Sequence, residues 1–195
     1  PLGSSRSDKR FTRLAGLFFV ADVTQRGVFA LARRNGSAMI SMAVVEESEQ
    51  GIDMTQVSWS GGEEHWAQKD DVKLFLWHRK RAAGTPLAGT LFFVHGSSTA
   101  SQPTFDVTVP GRPDSSAMQW FAERGFDTWT MDHEGYGRSS KHRDINSDIS
   151  NGADDLRAGT EYIRKTTGCG PLHYYGISSG ALRAALFAQR HPEHV

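Results

Sequence analysis

The feature that most narrows what this chain can fold into is Gly176-Ile177-Ser178-Ser179-Gly180, set between an apolar run, Leu172 to Tyr175, and a stretch rich in small residues, Ser179 to Arg190. The run reads as a buried β-strand and the stretch as a helix, so the pentapeptide must convert strand into helix in one sharp turn. Such a turn lifts the serine oxygen clear of the sheet and needs glycine on either side, where a side chain would strike backbone. The Ser179 N–H then lies at a helix start and faces a negative charge developing on a carbonyl attacked by Ser178. Ser178 is therefore a candidate nucleophile and Ser179 a candidate oxyanion donor, with Gly176 and Gly180 shaping the turn.

Upstream of this motif the pattern is regular. Glu64 to Lys69 and Val72 to His78 read as a hairpin turning at Asp70-Asp71, with the following basic run His78-Arg79-Lys80-Arg81 as a solvated strand end. Thr90 to Val94 is a continuous apolar strand of the kind buried on both faces of a parallel sheet. Ser116 to Arg124 is amphipathic and stops at Gly125; Phe126 to Met131 is strand-like. Asn151 to Thr167 reads as a helix with Asn151 as N-cap and Asp154 and Asp155 in its first turn. Alternating strands and helices predict a mostly parallel α/β sheet with flanking helices. The strand Thr90 to Val94 runs into His95-Gly96-Ser97-Ser98, a small loop whose Ser97 N–H is the candidate second oxyanion donor. In it His95 is read as the residue that orders the turn, and Gly96 as the residue that permits close approach.

Residues 61–195 are thus expected to form one unit, and residues 5–60 a different one. Leu17 to Val20, Val28 to Leu31 and Ala38 to Val45 are short apolar runs that predict a small β-meander, followed by an acidic linker from Glu46 to Asp53. Pro1 to Ser4 reads as the scar of a cleaved expression tag, and Met54 is a candidate original start. The charge balance of 22 Lys+Arg against 22 Asp+Glu argues against a general nucleic-acid binder. No apolar run approaches the roughly 20 residues that span a bilayer. The single Cys169 excludes an internal disulfide, so a cytoplasmic protein is expected. The five tryptophans suit core packing.

Three stretches, Phe93-Val94-His95-Gly96, Asp132-His133-Glu134-Gly135-Tyr136-Gly137-Arg138-Ser139 and Gly176 to Gly180, resemble in order and separation three landmarks of the α/β-hydrolase superfamily, from about Glu63 onward. The resemblance implies a serine hydrolase of the esterase type, with Ser178 as nucleophile and the amides of Ser97 and Ser179 as oxyanion hole. It also implies a small acyl substrate, no cofactor and no metal, and a mainly structural role for 132–139 as the floor of the site. Serine at 178 disfavours the dehalogenase branch, which carries Asp there.

The acid and histidine that follow the nucleophile in this fold have no counterpart, since no Asp occurs after Ser178. His191, Glu193 and His194 lie beyond a helix that sets them about 20 Å away. His173 lies roughly 16 Å down its strand. The chain therefore reads as the N-terminal half of such a domain, incomplete at its C-terminus, with acid and histidine supplied from outside. A complementary C-terminal chain or a second copy is expected beside Leu172 to Tyr175. The alternatives are a non-catalytic half-domain that pairs with a partner, or an acyltransferase of the same fold. His142-Arg143-Asp144 lacks the Asn a kinase loop needs, and Asp144 to Asp155 lacks the Gly of a calcium loop, with Ile149 in its place. The linear sequence holds no His/Cys metal motif.

Overall fold

The computed structural model describes residues 61–145 and 147–195 in full, together with the backbone of three strands nearer the N-terminus. These are β1 (Val20–Ala21), β2 (Ala30–Arg34) and β3 (Ser37–Ser41). The main unit runs β4 (Glu63–Lys69), β5 (Val72–Arg79), β6 (Gly89–Val94), α1 (Ser101–Phe105), α2 (Ala117–Ala122), β7 (Phe126–Met131), α3 (Ile149–Thr167), β8 (His173–Ile177) and α4 (Ser179–Arg190), ending in a 3-10 turn at Pro192–His194. Six strands form one sheet in the order β1-β8-β6-β7-β5-β4. β1, β8, β6 and β7 are mutually parallel, while β5 and β4 close one side as an antiparallel pair.

The two faces of the sheet follow from strand alternation. Leu74, Leu76, Phe92, Val94, Trp129, Met131 and Tyr174 point to the α3–α4 side, where they meet Leu156, Ile163 and Phe187. Phe75, Trp77, Leu91 and Phe93 point the other way onto Phe105 and Met118. Both layers are buried, so Leu74 to Trp77 in β5 and Leu91 to Val94 in β6 read as unbroken apolar runs. The C-terminal ends of β6, β7 and β8 therefore emerge side by side, and the loops that follow them share one rim of the sheet.

Several expectations need correction. The runs Val28 to Leu31 and Ala38 to Val45 contribute an antiparallel hairpin, β2 with β3, registered Ala30 to Ser41. The first run does not join them: Val20–Ala21 pairs with Gly176 and Ile177 at the edge of the main sheet. The linker, Met54 and the tag scar lie outside the described residues. α3 is capped by Asp148, whose carboxylate accepts from the Asn151 N–H at 2.8 Å, not by Asn151. Asp154 and Asp155 consequently sit in its second turn, and Asp155 is fully buried. His78 and Arg79 are not a solvated strand end; both are buried, on Asp127 and Asp106 respectively. Trp77 and Trp129 pack in the core, whereas Trp66 and Trp120 are partly exposed and carry the guanidinium groups of Arg138 and Arg124. Trp59 lies outside the described residues.

Candidate active site

Ser178 occupies the junction of β8 and α4 with φ 51° and ψ −130°, a left-handed conformation rare for a residue with a Cβ and worth about 1–3 kcal/mol of strain. Its side chain is exposed and makes no capping bond to the helix. The flanking glycines are there because α4 folds straight back. A Cβ on Gly176 would lie 2.6 Å from the Ala181 backbone, and one on Gly180 would run into the carbonyls of Val94 and His95. The second contact matters most, since it locks the start of α4 against the end of β6 and so fixes the 95–98 loop beside the serine. A Cβ on Gly96 would come within 3.0 Å of the Ser178 Cβ. Ser97 and Ser179 meet through their hydroxyls at 2.9 Å.

His95 is fully buried and spends both ring nitrogens on the loop: Nδ1–H donates to the Gly96 carbonyl at 2.7 Å, and Nε2 accepts from the His133 N–H at 3.1 Å. Burial, reinforced by the neighbouring His133, pushes its pKa down to about 4, so the ring is neutral and has no lone pair left for Ser178. His173 packs at the foot of β8 against Gly89 and Phe126. His191 and His194 close the far end of α4 around Phe187, about 20 Å along the helix from Ser178. None of these brings an imidazole to the serine.

Beneath the loop lies a network of buried charge. Asp132 accepts from the N–H groups of Ser101 and Arg138, each at 2.7 Å, which ties the end of β7 to the loop after β6. Asp155 accepts from the Glu134 N–H at 3.0 Å, contacts His133 Nδ1 at 3.2 Å and pairs with Lys69. Lys69 also pairs with Glu134 at 2.9 Å, and Arg143 holds the same carboxylate. Burial alone would raise the Asp155 pKa, but the bonds from His133 and Lys69 outweigh it and hold the carboxyl below its ordinary range. The Arg143 bond does the same for Glu134.

Two side chains at this rim were not singled out by the sequence. Tyr136, in the loop taken as a floor, is hydrogen-bonded with Ser97 and with Arg183; burial would raise its phenol, and these bonds bring it below its usual value. Arg183, on the second turn of α4, is buried and donates to the Ser147 carbonyl at 3.1 Å, with its guanidinium 5.6 Å from the Tyr136 ring. A buried arginine one helical turn beyond a small-residue elbow was the available signal. The groove lined by Trp66, Ala67, Gln68 and Lys73 sits on the β4–β5 edge, away from Ser178.

Residues 110–195 match the family described as serine aminopeptidase S33. The fold superposes on a membrane phospholipase A described as a bacterial virulence factor, with a TM-score of 0.50 and 27% identity over 69% of this chain. The fold is that of the α/β-hydrolase superfamily. An epoxide hydrolase of Vigna radiata shares this hydrolase fold at a TM-score of 0.50 and 18% identity, over 71% of this chain and 39% of that one. A lipase of Caenorhabditis elegans is 33% identical over 101 residues, 47% of this chain. This chain spans 24% of the length of that lipase and 37% of that of the phospholipase. Among its described residues no helix is long and apolar enough to cross a membrane.

Proposed function

We propose that Ser178 is the nucleophile of a serine hydrolase of the esterase or lipase type. The observation that carries this reading is the exposed, positive-φ serine at the strand-to-helix turn, held against the 95–98 loop by Gly180 and Gly96. Support comes also from the relatives, one a lipase and one a phospholipase. In the proposed reaction the Ser178 Oγ attacks the carbonyl carbon of an acyl substrate and gives its proton to a histidine. The tetrahedral oxyanion is held by the N–H groups of Ser97 and Ser179. Collapse expels the alcohol, which takes up that proton, and water then cleaves the acyl-serine to release acid and restore the hydroxyl.

The histidine and its acid are proposed to come from polypeptide outside these 195 residues; β1 already occupies the edge of β8 at Gly176 and Ile177. The described histidines all have other engagements or lie at the wrong end of an element. The test is hydrolysis of p-nitrophenyl butyrate by the protein isolated from its source cells, compared with its Ser178→Ala variant. Turnover is expected to fall by about 10⁴-fold or more in the variant, while the isolated 195-residue chain lacks general-base help worth about 10²–10⁴. Undiminished turnover in Ser178→Ala would overturn the reading.

A further inference from the structure

We propose that Glu63, His65 and His78 form a site for one divalent transition-metal ion of the zinc class, at the opposite end of the sheet from Ser178. The linear sequence has no metal motif because the site is assembled by strand pairing. Glu63 and His65 are two apart on β4 and so share a face, and Glu63 lies directly opposite His78 in the β4–β5 register. The three residues each offer a ligand atom, and these atoms lie within 4.8 Å of one another.

Proximity alone is common; the state of the two imidazoles is not. His78 is only 5% exposed, and its Nδ1 is buried with no hydrogen-bond partner. The same holds for Nε2 of His65, which lies 3.9 Å from the Glu63 Oε2. The other nitrogen of each ring is engaged. His78 Nε2–H donates to Asp127 at 2.8 Å, and His65 Nδ1 is 3.1 Å from the Tyr162 hydroxyl. A histidine that donates through one nitrogen to a carboxylate or hydroxyl presents a lone pair on the other, and metal-ligating histidines are oriented in this way. A buried lone pair without a hydrogen bond is an unmade interaction, so two of them beside a carboxylate point to an occupant.

The remaining geometry fits. Glu63 gives Oε1 to Lys80 at 2.6 Å and turns Oε2 toward His65. Being half exposed, it can close on an ion by a rotamer change, while the His78 ring is fixed by stacking on Trp129 at 3.8 Å. Two imidazoles and one carboxylate are a zinc-type donor set with one position open to water. His78 is in register with Trp129, Phe92 and Tyr174, four residues short of Ser178, which places the site on the order of 20 Å from the nucleophile. An ion there clamps the β4–β5 edge and takes no part in acyl transfer.

The experiment titrates metal-free protein with Zn²⁺ by calorimetry and with Co²⁺ by visible absorption. The expected result is one ion per chain, tighter than about 1 µM, with Co²⁺ bands of a low-coordinate N/O site. His65→Gln should weaken binding by about 100-fold. Asp127→Asn, which changes the acceptor that orients His78 and also receives the Trp129 indole N–H at 3.0 Å, should weaken it by about 10–100-fold. Circular dichroism checks that each variant is folded, and Glu63→Gln, at an exposed position, provides a variant with no core contact to lose. No stoichiometric binding by the parent protein would overturn the proposal. So would binding that survives in Glu63→Gln combined with His65→Gln, because the ion would then be held elsewhere, as at His191 and His194.

Discussion

The turn around Ser178 and the loop Asp132–Ser139 lie side by side at one rim of the sheet, yet they are held in opposite ways. The turn is fixed by shape: Gly176 and Gly180 let backbone meet backbone, and no buried charge anchors Ser178. The loop is fixed by charge, with Asp132, Glu134 and Asp155 buried and bonded to N–H groups, Lys69 and Arg143. Shape leaves a hydroxyl exposed, whereas buried charge gives rigidity and commits the carboxylates it buries to bonds. The serine proposed to react therefore sits on the first kind of support and leans on the second.

The comparison is broken most severely by removing charge from the loop. Asp155→Ala takes one of two carboxylate partners from the buried Lys69 ammonium and leaves the Glu134 N–H without its acceptor, and a loss of about 3–5 kcal/mol is expected in urea unfolding. Acid should act in the same place. The unfolded chain protonates His95 near its ordinary 6.5, while the folded chain resists until about pH 4. Stability is then full above about pH 6.5 and falls as pH drops toward 4, by on the order of 3 kcal/mol for this ring. His133, held down by burial in the same direction, steepens the fall. His95→Asn should flatten the profile in that window, as read by denaturant midpoints at a series of pH values.

Changes to the shape-held turn cost less stability and more chemistry. Gly176→Ala must move the start of α4, at an expected cost of about 1–3 kcal/mol, and displaces Ser178 with it. The smallest effect has the opposite sign. Ser178→Gly relieves the positive-φ strain and should stabilise by about 1 kcal/mol, while Ser178→Ala, which keeps its Cβ, should leave the denaturant midpoint unchanged.

The shape-held part was largely legible in the sequence, because its determinants are consecutive. Glycine spacing around Ser178, the apolar run of β6 and the small residues of α4 announce themselves within a few positions. Phe126–Met131 and Ser179–Arg190 fall where periodicity places them. Of the charge-held part, the stretch Asp132 to Ser139 was legible as a structural floor, but its buried pairings were not. Lys69 and Asp155 are 86 positions apart, and Trp77 and its carboxylate partner Asp106 are 29 apart, so nothing local says that a given Asp is buried. Asp155 looked like a first-turn helix residue and His78 like a strand end for that reason. The five-residue α1 is too short to show a period. The Val20–Ala21 pairing beside β8 depends on a contact across more than half the chain, which no local pattern encodes.

The central claim is that Ser178, and not its neighbour Ser179, is the reacting hydroxyl. The direct test treats the protein isolated from its source cells with a fluorophosphonate and maps the modified peptide by mass spectrometry. One phosphonyl group per chain on Ser178, absent in Ser178→Ala and retained in Ser179→Ala, is the result this account predicts. Modification of another residue, or labelling unchanged in Ser178→Ala, would contradict it.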